Sequence, residues 1–136
     1  MIKGEIELRV RYSDTDKMGY LYYGRYANFY EVARVELFRS LDFSYRNLED
    51  EGVGMPVINM NSKFIYPLKY DELVRVKTFI REKPSSVITF EYEIFNENKV
   101  LVNIGRTELT FIDLKKNKVV RLPKKLEEII KKSFEK

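Results

Sequence analysis

Hydrophobic and polar residues alternate at the start of the chain, with Ile6, Leu8, Val10 and Tyr12 set against Glu5, Glu7, Arg9 and Arg11. A period of two with one wet face predicts a strand in an antiparallel sheet. Ser13 to Gly19 follows as a polar loop of turn-forming residues. From about Gly24 the period lengthens. Tyr26, Phe29, Tyr30, Ala33, Leu37 and Leu41 recur at spacings of three and four. They form the apolar stripe of a helix that ends near Asp42, with Arg25, Asn28, Arg34 and Arg39 on the opposite side. Ser44, with Asn47, Leu48 and Glu49 after it, predicts a short second helix stopped by Gly52 or Gly54.

Beyond Pro56 the pattern returns to strands. Val57 to Tyr66 is one, closed by Pro67, and Leu73 to Arg81 is the next. Val87 to Phe95 follows, then a hairpin turn at Asn96 to Lys99 and a long strand from Val100 to Asp113. Lys115 to Lys118 turns the chain into a short edge strand at Val119 to Leu122. Pro123 opens a terminal helix with Leu126, Ile129, Ile130 and Phe134 on one face. Residues 1–136 show no repeat and no linker, so one α+β domain is expected, with a single long helix against a twisted antiparallel sheet of about five strands. Its short edges invite pairing with a second copy.

Composition narrows the chemistry more than the fold. The chain contains no cysteine and no histidine. That excludes disulfides, thiolate nucleophiles, Ser-His and Cys-His pairs, and histidine or cysteine metal sites. Hydrolytic chemistry must rest on carboxylates, hydroxyls, lysine or backbone dipoles. The net charge of +4 suits a polyanionic small ligand and falls short of a nucleic-acid footprint. No apolar run approaches the roughly 18–20 residues that span a bilayer, and the first eleven residues lack the apolar centre of a signal peptide. A cytoplasmic protein is expected.

The chemistry concentrates between Tyr12 and Arg34, Y-S-D-T-D-K-M-G-Y-L-Y-Y-G-R-Y-A-N-F-Y-E-V-A-R. Two carboxylates, Asp14 and Asp16, sit in a loop just before the long helix. Unpaired N–H groups at a helix start favour negative charge. Acyl transfer needs this pairing: a group that attacks or activates water, beside N–H donors for the developing oxyanion. Asp-x-Asp also serves as plain turn and cap chemistry.

In register, Asp14, Thr15, Asp16, Gly19, Tyr22, Tyr23, Tyr26, Phe29, Glu31, Ala33 and Arg34 resemble the N-terminal motif of the 4-hydroxybenzoyl-CoA thioesterase family of hotdog-fold enzymes. Gly54-Met55-Pro56, Phe64 and Tyr70-Asp71-Glu72-Leu73 extend the resemblance along most of the chain. The resemblance implies a hotdog fold, a sheet wrapped around one long helix with a short C-terminal helix, and an acyl-CoA thioesterase. It implies Asp16 as nucleophile or general base, with Asp14 shaping the loop and the backbone N–H groups of Tyr23 and Gly24 as oxyanion donors. Substrate contacts fall to Glu31, Tyr26 and Met55, although a helix glutamate also pairs readily with Arg34 or Arg25. Arg81, Lys83, Ser85 and Ser86 become the candidate seat of the coenzyme A phosphates. The resemblance further implies a homodimer or homotetramer with sites at subunit interfaces. It calls for no metal and no cofactor beyond the coenzyme A of the substrate. A non-catalytic acyl-CoA or carrier-protein binding module is the alternative.

Overall fold

The computed structural model describes residues 1–135. A strand β1 (Ile2–Arg9) leads through a 3-10 turn (Tyr12–Asp14) and a loop to a second 3-10 turn (Tyr23–Arg25). Helix α1 (Tyr26–Ser40) continues directly from it, followed by a short helix α2 (Tyr45–Asp50). Then come β2 (Val53–Gly54), β3 (Val57–Phe64), β4 (Leu73–Ile80), β5 (Val87–Phe95), β6 (Leu101–Asp113) and β7 (Lys118–Val120). Helix α3 (Lys124–Phe134) ends the described chain. Among the described residues, no helix is long and apolar enough to cross a membrane.

The sheet has seven strands, against an expected five or so. The difference lies at the end of β6, whose length serves four partners. It pairs antiparallel with β5 and β3 along its body and with β2 and β7 at its far end. A two-residue strand such as β2 carries no period to read. β7 begins one residue earlier than expected and stops at Val120.

Alternation in β4 and β5 builds the core. Val74, Val76, Thr78 and Ile80 point the same way as Ile88, Phe90, Tyr92 and Ile94, and all are buried. Helix α1 lays Tyr26, Phe29, Tyr30, Ala33, Leu37 and Phe38 on that face, mainly against β1 and β4. Arg34 departs from the expected polar side. It is buried, with Nη1 donating to the Tyr92 hydroxyl at 3.4 Å, and that hydroxyl bonds Thr107 Oγ1 at 2.7 Å. Gly105 on β6 makes room for Tyr30, because a Cβ there would overlap the phenol ring. The Tyr30 hydroxyl reaches Ser62 Oγ on β3 at 2.7 Å and the Asn103 side-chain carbonyl. Burial pushes this phenol up to about 12.

The two sheet edges differ. β1 ends one side with Lys3, Glu5, Glu7 and Arg9 along it, the charged dressing that deters pairing. β3 ends the other side and is left bare. Its Val57, Ile58, Met60 and Phe64 are all about half exposed, as are Ile65 and Tyr66 just beyond.

Candidate active site

The loop between β1 and α1 is folded by its own backbone. Asp14 N–H donates to the Arg11 carbonyl at 3.0 Å, and Tyr22 N–H returns to the Asp14 carbonyl at 2.9 Å. Between them Thr15 bridges Leu21, Asp16 N–H meets the Tyr20 carbonyl, and Tyr20 bridges Lys69. Gly19 takes a left-handed φ of 81°, which closes the turn. The loop is therefore a small hairpin, docked on Leu68 and Lys69, that delivers the chain to the helix start.

The two carboxylates divide their work. Asp14 is buried, at 2% exposed, and its oxygens accept from Arg11 N, Nε and Nη2 at 3.0 to 3.2 Å. Arg25 stands 3.9 Å away. Burial opposes the charge, yet the Arg11 donors and the Arg25 charge outweigh it, and the carboxyl is held below its ordinary range. Asp14 is thus a fastener of the loop. Asp16 is half-buried, and only its Oδ1 is engaged, by the N–H groups of Met18 at 2.9 Å and Tyr20 at 3.2 Å. Its Oδ2 has no partner among the described residues, and the side chain lines an open groove of about 700 Å³.

The helix start supplies donors. In the 3-10 turn of Tyr23–Arg25, Arg25 N–H returns to Tyr22 and Tyr26 N–H to Tyr23. The Tyr23 and Gly24 N–H groups meet no acceptor among the described residues. The Tyr23 phenol is exposed and its ring leans on Tyr22 at 4.6 Å between centroids. A Cβ at Gly24 would lie 2.7 Å from the Tyr22 ring, so glycine is what lets the turn approach that ring.

Glu31 is exposed on α1 and pairs with neither candidate arginine, since Arg34 turns into the core and Arg25 leans on Asp14. Tyr26 is buried, with its ring edge-on to Phe64 of β3 at 4.9 Å, and burial together with the charge of Glu72 pushes its phenol up to about 12. Met55 is half-buried against the core in the connection from β2 to β3. Met60, Ser62 and Phe64 lie on the helix side of the sheet, opposite Thr107, Gly105 and Asn103, yet α1 leaves Met60 and Phe64 open. Tyr26 and Tyr30 meet β3 at Phe64 and Ser62, but Met60 and Phe64 leave an apolar strip on β3 uncovered beside α1, a feature the helix stripe alone did not announce.

The candidate phosphate seat lies elsewhere in the same chain. The Asp16 loop adjoins the first residue of β4 through Val10 and Glu72, whereas Arg81 follows its last residue. Eight strand residues at ~3.3 Å each separate them by about 25 Å. Arg81 is committed there to Glu91 and to the Phe79 ring at 4.4 Å. Lys83 is exposed beside Pro84, Arg121 and Lys131 of the α3 side, while Ser85 and Ser86 spend their carbonyls on Leu122 N–H and Thr110 Oγ1. One chain does not gather these four residues around Asp16.

Residues 10–130, which include the Asp16 loop and the helix start, match the thioesterase-like superfamily. The chain belongs to that superfamily. With membership comes the enzyme class, thioester hydrolase. The acyl-CoA thioesterase YbgC of Haemophilus influenzae is 32% identical over 120 residues, 88% of each chain. YneP of Bacillus subtilis is 37% identical over 90 residues, which span 66% of this chain and 65% of that one. The crystal structure of a DHNA-CoA thioesterase from Staphylococcus aureus superposes with a TM-score of 0.93 at 37% identity, covering 97% of this chain and 91% of that one. The hotdog fold of these thioesterases is the fold described above. The relatives support the superfamily and leave the 4-hydroxybenzoyl branch as one acyl class among several.

Proposed function

We propose that the chain hydrolyses acyl-CoA thioesters to the free acid and coenzyme A, with Asp16 as the reacting carboxylate. The observation that supports this reading is that one hairpin-to-helix segment, tied by the Tyr22 N–H to Asp14 carbonyl bond, carries both the unengaged Asp16 Oδ2 and the unspent N–H groups of Tyr23 and Gly24. The thioester carbonyl oxygen rests on those N–H groups, where charge develops as the carbon becomes tetrahedral. Asp16 either attacks the carbon, expelling the thiolate and leaving an anhydride that water opens, or takes a proton from the attacking water. The chain offers no imidazole, so both routes run through the carboxylate.

The acyl group lies in a trough that the uncovered β3 strip and α1 form with a second copy, beside Tyr26, Phe64 and Glu31, with Met55 at the far side. A second copy closes that trough. The bare edge of β3 and its half-exposed Val57, Ile58, Met60 and Phe64 supply the pairing surface. Pairing two copies also offers a way to bring Arg81, Lys83, Ser85 and Ser86 of one chain toward the substrate of the other, where their charges and hydroxyls meet phosphate. DHNA-CoA, the substrate class of the Staphylococcus relative, and the simpler aryl and alkyl thioesters are the acyl groups to compare.

Release of coenzyme A thiol from such a panel, read with a thiol-reactive dye, tests the proposal. The chain has no cysteine, so the protein adds no background. Thiol release proportional to enzyme supports the reading. Ligand binding with no release from any thioester contradicts it.

A further inference from the structure

The groove over Asp16 is lined by Tyr12, Thr15, Lys17, Gly19 and Tyr70, and by no residue of α1 or of the helix start. Its walls are two tyrosine rings set edge to face, with centroids 5.6 Å apart and planes at 77°. Both stay open, Tyr12 at 79% and Tyr70 at 55% exposed. The sequence period assigned Tyr12 to the inner face of the first strand, but the 3-10 turn rotates it outward.

Both rings stand on fixed backbone. Tyr12 opens the turn that Arg11 and Asp14 clamp. Tyr70 precedes Asp71, which holds a left-handed φ of 71°, donates to the Val10 carbonyl at 2.8 Å and accepts from Arg9 at 2.6 Å. Two large rings on anchored backbone, exposed to solvent beside an unpaired carboxylate oxygen, offer a surface for a ligand.

The thioester carbon has two substituents, the acyl group and the sulfur arm. With the carbonyl oxygen on the Tyr23 and Gly24 N–H groups, one substituent runs along the trough of α1 and β3 and the other enters the groove. The trough is apolar and awaits closure, as an acyl group requires. The groove is open-ended and mixed in polarity, which suits a chain that continues outward to a nucleotide or carrier. We infer that the Tyr12–Tyr70 corner seats the thiol arm, a pantetheine-class amide chain, with Lys17 at its rim. This rests on the thioesterase reading above. Planar amides and branched methyl groups lie on aromatic faces, and the edge-to-face pair offers one ring face with a second ring as a backstop.

The test compares thioesters of one acyl group on three thiols. Coenzyme A carries the whole arm, pantetheine lacks the nucleotide, and N-acetylcysteamine stops after the first amide. In Tyr12→Ala and Tyr70→Ala, kcat/KM for the coenzyme A and pantetheine thioesters should fall about 10-fold further than for the N-acetylcysteamine thioester, mostly through KM. Tyr12→Phe and Tyr70→Phe should restore most of that difference. Equal losses on all three thioesters would assign the rings to the reacting centre or the fold and overturn the inference. A loss confined to coenzyme A would assign them to the nucleotide, and no loss would remove them from the site. If the wild type turns over none of the three, the thioesterase reading fails and this seat fails with it. Wild-type turnover with flat ratios overturns the seat alone.

Discussion

Tyr22 donates its backbone N–H to the carbonyl of Asp14 at 2.9 Å. That bond ties the residue before the helix start to the residue two before Asp16, so the carboxylate and the helix-start N–H groups belong to one local unit. Their relative placement is thus set mainly by hydrogen bonds within an eleven-residue stretch and by Arg11 and Arg25 on Asp14.

Loss of the Asp14 charge should loosen this unit. Asp14→Asn surrenders charge-assisted bonds from Arg11 and is expected to cost about 1–3 kcal/mol near neutral pH. The folded carboxyl titrates below its ordinary value. Its contribution is therefore complete above the unfolded value of about 4 and is lost as pH falls through the lower folded value. Urea unfolding across that range should show wild type and variant converging in acid. A gap that persists below the folded pKa would contradict the assignment.

The role given to Tyr23 is a backbone role. Tyr23→Phe should leave kcat little changed, because the phenol is exposed. Tyr23→Pro removes the N–H at a helix-start position that tolerates proline, and kcat should fall by about 10²–10³ with the fold retained. Equal effects of the two substitutions on thioester turnover would place the catalytic contribution in the side chain.

Gly105 and Tyr30 form a matched pair across the core. Gly105→Ala should destabilise by about 1–3 kcal/mol, since its methyl overlaps the phenol ring. Thermal unfolding of Gly105→Ala combined with Tyr30→Leu should be less costly than the sum of the two single changes. Strict additivity would mean that the backbone at β6 absorbs the methyl in some other way.

Part of this was legible in the sequence, because local pattern decides it. The alternation in β4 and β5, the Ser44 cap of α2, which accepts from Asn47 N–H at 3.3 Å, and the stripe of α1 all stand where the periods put them. Arg34 was not legible. A helical arginine reads as solvent-facing, and its burial depends on Tyr92 and Thr107, more than fifty residues away in sequence. Nor did the apolar run of β3 announce its exposure, since alternation does not say which strand lies at an edge that α1 fails to cover. For the site, the motif singled out Asp16 and the helix start as candidates. The separation of Arg81 to Ser86 from them follows from strand direction, which no motif records.

Closure of the trough by a second copy is open to a direct check. Sedimentation should give twice the 16.3 kDa chain mass for the wild type. Met60→Lys places a charge on the bare strand and should yield a monomer with unchanged circular dichroism and greatly reduced turnover. A wild-type monomer that hydrolyses thioesters at full rate would contradict a shared site.

The most direct measurement is acyl-CoA hydrolysis by Asp16→Asn. Asparagine keeps an Oδ1 acceptor for Met18 and Tyr20, so the turn survives while the charge goes. Turnover should fall by about 10²–10⁴ with unfolding behaviour unchanged. Wild-type rates in that variant would show that Asp16 is a turn residue and that the chemistry lies elsewhere.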